Sequence, residues 1–502
     1  MKIMKNHKLY LLLLTFFYLN IQPTFSQKYD NTWLMGYYYS SFTNVTGLDF
    51  YFGNPVSVGF APPFNFISTG GACMSDANGD LLFYTNGCQV ANFNNQLLPN
   101  SNLFNNYAPQ NYYSVCDLWQ SVISLPYPDQ PGKFILMHYN YYTGSAPYGV
   151  SRLFYSVVDM NANGGTGEMT TKNMQAFQDS LIDSFLHATK HANGRDWWVI
   201  THQRSTNAFH LTLVTPSGPT QHFVQNTGPA VPRFDIGEGQ AEFSPDGSMF
   251  GFVHNRFNSF YLFDFDRCSG TISFRDSVHI TQSNPNEWPL WGGTFSPNSQ
   301  YFYANTQQRI LQYDVLAPSL AASEKLVGVD DGAGNPIFRP RPGPNGKLYY
   351  IGWGSETNLS VINNPDLADT LCDFQQHSVQ LTSYHGTSIP DFPNYRLGPL
   401  TGSSCDTLTS INEFLDDSYY DITISPNPNN GIFTISYGLQ ADRSGKLRVL
   451  DINGKEVYLR SLPIYSISQQ LELDFLASGI YYLQIVSGKN SESKKFVVVR
   501  ED

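Results

Sequence analysis

Three groups of residues in this chain have the types and spacing for chemistry. The first is His187 with His191, and Asp183 just upstream. On a helix, imidazoles at i and i+4 share one face and can hold a metal ion. The Glu of a HExxH site is missing and His191 stands at a turn, so a structural role is expected and no metal is assigned. The second group is Glu238 and Glu242 in DIGEGQAEFSPDG, with Asp235 just upstream and Asp391 in IPDFPNY further along the chain. Paired carboxylates do acid–base work. In loops that lead into strands they also cap turns or bind water. The third group is Glu287, Trp288 and Trp291 in NPNEWPLWGG. A carboxylate among indole rings suits a sugar or a cation at the mouth of a channel, against the plainer reading of a packed funnel wall. No GxSxG, Walker loop, dinucleotide fingerprint or zincin motif accompanies them. Glu238, Glu242 and Asp391 are therefore the carboxylates a catalytic reading would use. Glu287, Trp288 and Trp291 are those a binding reading would use, and no cofactor is implied.

The elements that must position these residues repeat along the chain. A polar turn followed by an apolar run recurs as SDANGDLLFYTNG at Ser75, PDQPGKFILMH at Pro128 and HANGRDWWVITH at His191. It recurs again as SPDGSMFGFVH at Ser244, SPNSQYFYANT at Ser296 and GPNGKLYYIGW at Gly343. The turn residue is Gly79, Gly132, Gly194, Gly247, Ser299 and Gly346, in steps of 53, 62, 53, 52 and 47 residues. Glycine supplies the positive φ of such a turn, and the apolar run behind it is a buried strand. Units of this length, each too small to bury both faces of its sheet, are the signature of a β-propeller. Two stacked sandwiches are the alternative, but they need no turn every ~50 residues. The N-terminal TWLMGYYYS and GLDFYFG, with IPDFPNYRLG near Ile389, are expected to close the ring as one more blade, about seven in all.

Composition agrees with an all-β chain. Aromatic residues make up 15% and charged residues 14% of the sequence, a mix that favours strands and turns. A net charge of −12 opposes a phosphate backbone, so nucleic acid is not an expected partner. The six cysteines allow 15 complete pairings. None forms CxxC, so zinc and thioredoxin-type chemistry have no support. Local loop closure favours Cys88 with Cys116 and Cys372 with Cys405.

Both ends carry address information. Lys2, Lys5 and Lys8 precede the apolar run LYLLLLTFFYL, and Thr24 and Ser26 stand at −3 and −1 of a cleavage site before Gln27. These are the parts of a secretory signal over residues 1–26. No transmembrane segment is expected after its removal. Residues 27–400 form the propeller, 401–421 read as a linker, and 422–502 form a small β-sandwich with strands around PNPNNG, DINGK and SGKN.

The body resembles the propeller-like regions of Bacteroidetes surface proteins that carry type IX sorting or gliding-motility C-terminal domains. The resemblance rests on GLDF at Gly47, SDANGDLLFYTNG at Ser75, LFYSVVDMNANGGTG at Leu153, KHANGRDWWV at Lys190, EFSPDG at Glu242, FDFDRCSGTIS at Phe263 and VINNPDL at Val361. Residues 422–502 resemble a type A sorting domain of the type IX secretion system, through PNPNNG, the Gly-Lys turn, GIYYLQIV and the terminal Lys-rich strand. That resemblance implies handling by the type IX machinery through residues 422–502, passage across the outer membrane via the periplasm, and release or attachment at the surface. The expected function is an exported binding or interaction module with a glycan or protein ligand. The alternative is a secreted polysaccharide hydrolase or lyase with carboxylates in the propeller funnel.

Overall fold

The computed structural model describes residues 27–37, 45–64, 70–102, 118–140, 150–230, 239–387, 389–406, 422–437, 445–452, 454–462, 468–487 and 490–500. The expected signal segment, 1–26, lies outside the described residues. The chain forms two compact units, residues 1–407 and 408–502.

The first unit is a ring of seven antiparallel sheets among the described residues. Blade 1 is β1 (Thr32–Met35), β2 (Val45–Asp49) and β3 (Val56–Phe60). Blade 2 is β4 (Ala72–Ser75), β5 (Leu81–Thr85) and β6 (Val90–Asn92). Blade 3 is β7 (Val122–Pro126), β8 (Lys133–Tyr139), β9 (Val150–Asp159) and β10 (Glu168–Leu181). Blade 4 is β11 (His187–Lys190), β12 (Trp197–His202), β13 (Ala208–Thr215) and β14 (Gly218–Asn226). Blade 5 is β15 (Gly239–Phe243), β16 (Met249–His254), β17 (Ser259–Asp266) and β18 (Thr271–His279). Blade 6 is β19 (Gly292–Phe295), β20 (Tyr301–Asn305), β21 (Arg309–Asp314) and β22 (Lys325–Val329). Blade 7 is β23 (Ile337–Pro342), β24 (Leu348–Gly352), β25 (Glu356–Ile362) and β26 (Phe374–His385). The chain meanders outward through each of blades 2 to 7, so the first strand of each lies nearest the axis.

Each sheet covers its neighbour, which is why the repeat needs a ring. Leu34 and Val45 of blade 1 pack on Cys73 and Tyr84 of blade 2. Phe83 meets Phe134 with ring centroids 5.4 Å apart, joining blades 2 and 3. Trp197 extends the same core into blade 4, and Phe209 and Phe250 join blades 4 and 5. Phe260 and Phe302, 4.8 Å apart, join blades 5 and 6, while Ile310 and Tyr350 join blades 6 and 7. Trp33 lies 5.7 Å from Tyr349 and closes blade 1 on blade 7. The turn signature is borne out residue by residue: Gly79, Gly132, Gly194, Gly247 and Gly346 all have positive φ, and Ser299 adopts φ 62° in the glycine's place. The Ser299 hydroxyl also accepts the Asp246 N–H of the neighbouring turn at 3.1 Å. These turns mark one face of the ring, the turn face. The loops that enter each first strand mark the opposite, loop face.

Ring closure differs in form from the expected joint. Blade 1 takes all three recorded strands from the N-terminal segments. Residues 386–387 and 389–400 make no ladder but run as a strap inside β1 and out across the turn face. Gly386 donates to Gly36 O at 2.7 Å. Tyr395, fully buried, donates its hydroxyl to Ser124 O at 2.7 Å. Arg396 clamps both Asp30 oxygens at 2.7 Å, and Leu400 donates to Ala192 O.

A disulfide between Cys268 and Cys405 fastens the end of the strap to the β17–β18 turn. The expected Cys372–Cys405 pair is therefore wrong. Closeness in sequence misled, because the ring brings Cys268 to Cys405 across 137 residues. Cys372 is instead a buried free thiol packed with Tyr303 and Tyr350, and burial pushes it up to about 11. Cys73 is also free and buried, pushed up to about 12 by desolvation. Cys88 is disulfide-bonded; its expected partner Cys116 lies outside the described residues. Because constraint grows with loop length, Cys405→Ser is expected to destabilise the first unit by about 3–5 kcal/mol. A lower urea midpoint, with a slope no shallower than that of the wild type because the unfolded chain is freed to expand, reports that loss, and an unchanged midpoint would show that the strap's hydrogen bonds hold alone.

The second unit packs two sheets face to face. One contains β27 (Thr423–Ser425), β28 (Ile432–Ser436) and β31 (Ser468–Glu472). The other contains β29 (Gly445–Leu450), β30 (Glu456–Leu462), β32 (Gly479–Ser487) and β33 (Asn490–Val498). Alternation in IFTIS and GKLRVL sends Phe433, Ile435, Leu447 and Val449 inward, where they meet Leu471, Leu483, Ile485 and Phe496. This is the small sandwich the alternating pattern predicts.

Candidate functional site on the loop face

The carboxylates singled out in the sequence divide sharply. Glu238 and Asp235 lie outside the described residues. Glu242 on β15 and Asp391 on the strap are both buried at the axis, where Arg341 of β23 reaches Glu242 at 3.5 Å and also contacts Asp391. Glutamine spokes fill the space around them. Gln120 donates to Ala241 O and accepts Ala241 N–H, both at 2.8 Å, tying the entry of blade 3 to blade 5. Gln240 donates to Pro340 O at 3.0 Å, tying blade 5 to blade 7. The first strands present unpaired backbone groups to the axis, and these amides satisfy some of them.

The Glu242 carboxyl is pushed from the ordinary value of 4.5 up to about 7 by burial, against the pull of Arg341. Folding then favours the protonated acid, so Glu242 exacts nothing below about pH 4.5 and destabilises the fold as pH rises through 7. Burial also pushes His138, His187 and His202 down to about 3. Those imidazoles act oppositely, costing stability as pH falls below about 6.5. Glu242→Gln removes only the first effect. The stability of the variant relative to the wild type is expected to improve by up to about 3 kcal/mol between pH 4.5 and 8. Urea unfolding at the two pH values measures it, and a difference that does not change with pH would contradict it.

The histidine pair does not converge. His187 lies on strand β11, where i and i+4 side chains stand roughly 13 Å apart. His191 donates its Nε2–H to Cys268 O at 3.0 Å and accepts Asn193 N–H on Nδ1. Among the described residues no group of three His, Cys, Asp or Glu could hold a metal ion.

Glu287 is a lock, not an open carboxylate. Arg309 binds it at 2.7 and 3.0 Å, the Thr306 hydroxyl donates at 2.8 Å, and Ser283 N–H also donates. Burial would raise this acid, but Arg309 and the N–H donors outweigh it and hold it down at about 2. The lock fixes the loop before β19, and that loop presents Trp288, 55% exposed. Trp291 turns inward to lie 5.1 Å from Phe338 and 5.1 Å from Trp353. Trp353, 40% exposed, lies 4.7 Å from Phe338, and Trp119 lies 5.4 Å from Phe338 on its other side. The Arg339 guanidinium sits 4.0 Å over the Trp119 ring. Further along the same face, Tyr384 stacks on Tyr37 at 5.6 Å, and Phe257 is exposed beside His254.

An arc of aromatic rings thus follows the loop face from blade 5 through blades 6 and 7 to blade 1. The sequence pointed to Trp288 and Trp291 and missed Trp119, Phe338, Arg339, Arg341 and Trp353. The alternation in FRPRP, from Phe338, was the available signal, since it sends two arginines to one side of a first strand.

Fold and terminal module together define an exported propeller protein. Residues 423–499 match the family model of the secretion system C-terminal sorting domain. The second unit is accordingly the sorting domain of type IX secretion, which places the chain outside the cell or on the outer-membrane surface of a Bacteroidetes bacterium. No helix among the described residues is long and apolar enough to cross a membrane. No curated protein matches the chain. Among solved structures it is similar to a protein from Lactobacillus plantarum, with 12% identity, TM-score 0.44, and 72% of this chain and 98% of that chain covered. It is also similar to a putative 6-phosphogluconolactonase from Bacteroides fragilis, with 12% identity, TM-score 0.41, and coverage of 71% and 96%. A third is the periplasmic gluconolactonase of Pseudomonas aeruginosa, with 12% identity, TM-score 0.40, and coverage of 72% and 100%.

Proposed function

We propose that this chain is an exported binding protein whose propeller holds a glycan, or a protein surface, against the aromatic arc of the loop face. The signal segment at residues 1–26 starts the export. One observation carries the reading: Trp288 and Trp353 stand exposed around the packed Trp291–Phe338 pair, the Trp288 loop braced by the Glu287–Arg309 lock and Trp353 tied by its backbone N–H to Pro336 O. Flat rings held in place bind sugar faces at small entropic cost. A glycan array probed with the mature chain tests it. Trp288→Ala and Trp353→Ala are each expected to weaken the ligand found by about tenfold, or 1.4 kcal/mol. Unchanged binding in both would remove the arc from consideration.

A second reading, a polysaccharide hydrolase or lyase, is favoured by the Glu242 carboxyl, held near neutrality one guanidinium away from Asp391. An acid and a base so placed are the groups glycoside cleavage uses. Steady turnover of a polysaccharide, lost in Glu242→Gln or Glu238→Gln, would put this reading first.

A further inference from the structure

We propose that a cleft on the turn face, between blades 1 and 7, is a separate binding site for the carboxylate-bearing ring of an acidic sugar. It does not depend on the aromatic arc, which lies on the opposite face. The cleft encloses about 180 Å³ and is lined by Lys28, Phe50, Tyr51 and Gly53 on one side and Asn345 and Arg396 on the other. Its chemistry is two-sided. Tyr51 supplies an aromatic wall, with Phe50 buried behind it, and the Lys28 ammonium stands 5.0 Å from the Tyr51 ring centroid. Lys28 brings positive charge, while that of Arg396 is spent on Asp30, and no carboxylate is among the described residues that line the cleft.

The nearest carboxylates are already engaged. Asp30 gives both oxygens to Arg396 at 2.7 Å. Asp49 Oδ1 accepts from Asn31 at 3.0 Å and from Tyr51 N–H at 2.8 Å. The Lys28 ammonium is therefore the charge the cleft offers a ligand. Gly53, at φ +90°, has nothing within 4 Å of where a side chain would stand, which leaves the mouth beside the aromatic wall open.

These features select one ligand class. A neutral sugar would gain the ring contact without the charge, and a bare inorganic anion the charge without the ring. A pyranose carrying a carboxylate gains both, with its ring on Tyr51 and its anion toward Lys28. The cleft has room for one such ring.

The test is calorimetry and ligand-observed NMR on the full mature chain, with methyl glucuronide, methyl glucoside and inorganic sulfate as probes. Methyl glucuronide is expected to bind, and the glucoside and sulfate to bind at least about tenfold more weakly. Lys28→Ala and Tyr51→Ala are each expected to raise the glucuronide Kd about tenfold, and thermal unfolding of each variant, whose replaced side chain is half-buried, shows that the fold is kept. Trp353→Ala, in the arc, is expected to leave glucuronide binding unaltered, so a failure there is separable from a failure here. Sulfate binding as tightly as glucuronide, or glucuronide binding indifferent to Lys28→Ala or Tyr51→Ala, would overturn the proposal. So would no binding at millimolar ligand.

Discussion

A chain ending at residue 421 is expected to remain in the periplasm with its propeller folded, and its yield in the medium or at the cell surface to fall at least about tenfold. The two units have separate cores. Phe433, Leu447, Leu483 and Phe496 pack among residues of the second unit, and the first unit completes its ring with the strap and the Cys268–Cys405 bond before the deleted piece begins. Domains with their own cores fold independently. The leader proposed at residues 1–26 would serve the inner membrane alone, so the first crossing is expected to survive the truncation. The second crossing requires the residues that match the sorting family, 423–499, and all of them are gone. Residues 401–502, placed behind a signal peptide and a fluorescent protein, are expected to carry that cargo out. Fractionation and immunoblotting in a host with type IX secretion would measure both. Export of the truncated chain at the full-length level would mean that the terminal sandwich is not the sorting signal here.

The parts legible in the sequence were those that repeat. Five glycines and Ser299 recur because each of blades 2 to 7 needs a left-handed turn at the same corner, and one backbone conformation serves all six. That regularity belongs to the turn face. The loop face carries the aromatic arc, and its loops differ from blade to blade, so Trp119 and Trp353 stood in no pattern. Glu287 was conspicuous as an acid between tryptophans, yet its partners Thr306 and Arg309 lie about twenty residues away and convert it from a contact group into a brace. Cys405 was paired by proximity along the chain, when the strap carries it across the ring to Cys268. In each case the missing information was the third dimension of a closed ring, which brings together residues of the first unit that lie far apart along the chain.

Replacing Arg341 with methionine is expected to destabilise the first unit by about 3–5 kcal/mol, the usual cost of removing one partner from a buried ionic group. Arg341 is only 3% exposed, and it faces Glu242 and Asp391, both as deeply buried. Without the guanidinium two carboxyl groups remain at the axis with no counter-charge and little water. One route of relief is protonation; the other is release of Asp391, which sits on the strap. The second route pulls Tyr395 and Arg396 away from Ser124 and Asp30, so the ring should loosen at the blade 1 joint first. Adding Glu242→Leu and Asp391→Asn removes the stranded charges, and the triple variant is expected to recover to within about 1 kcal/mol of the wild type. Tryptophan fluorescence during urea unfolding reads the first unit alone, since all seven tryptophans precede residue 354. A single Arg341→Met variant as stable as the wild type would show that the axial charges are solvated in place. A triple variant no more stable than the single one would show that Arg341 acts by filling space, not by neutralising Glu242 and Asp391.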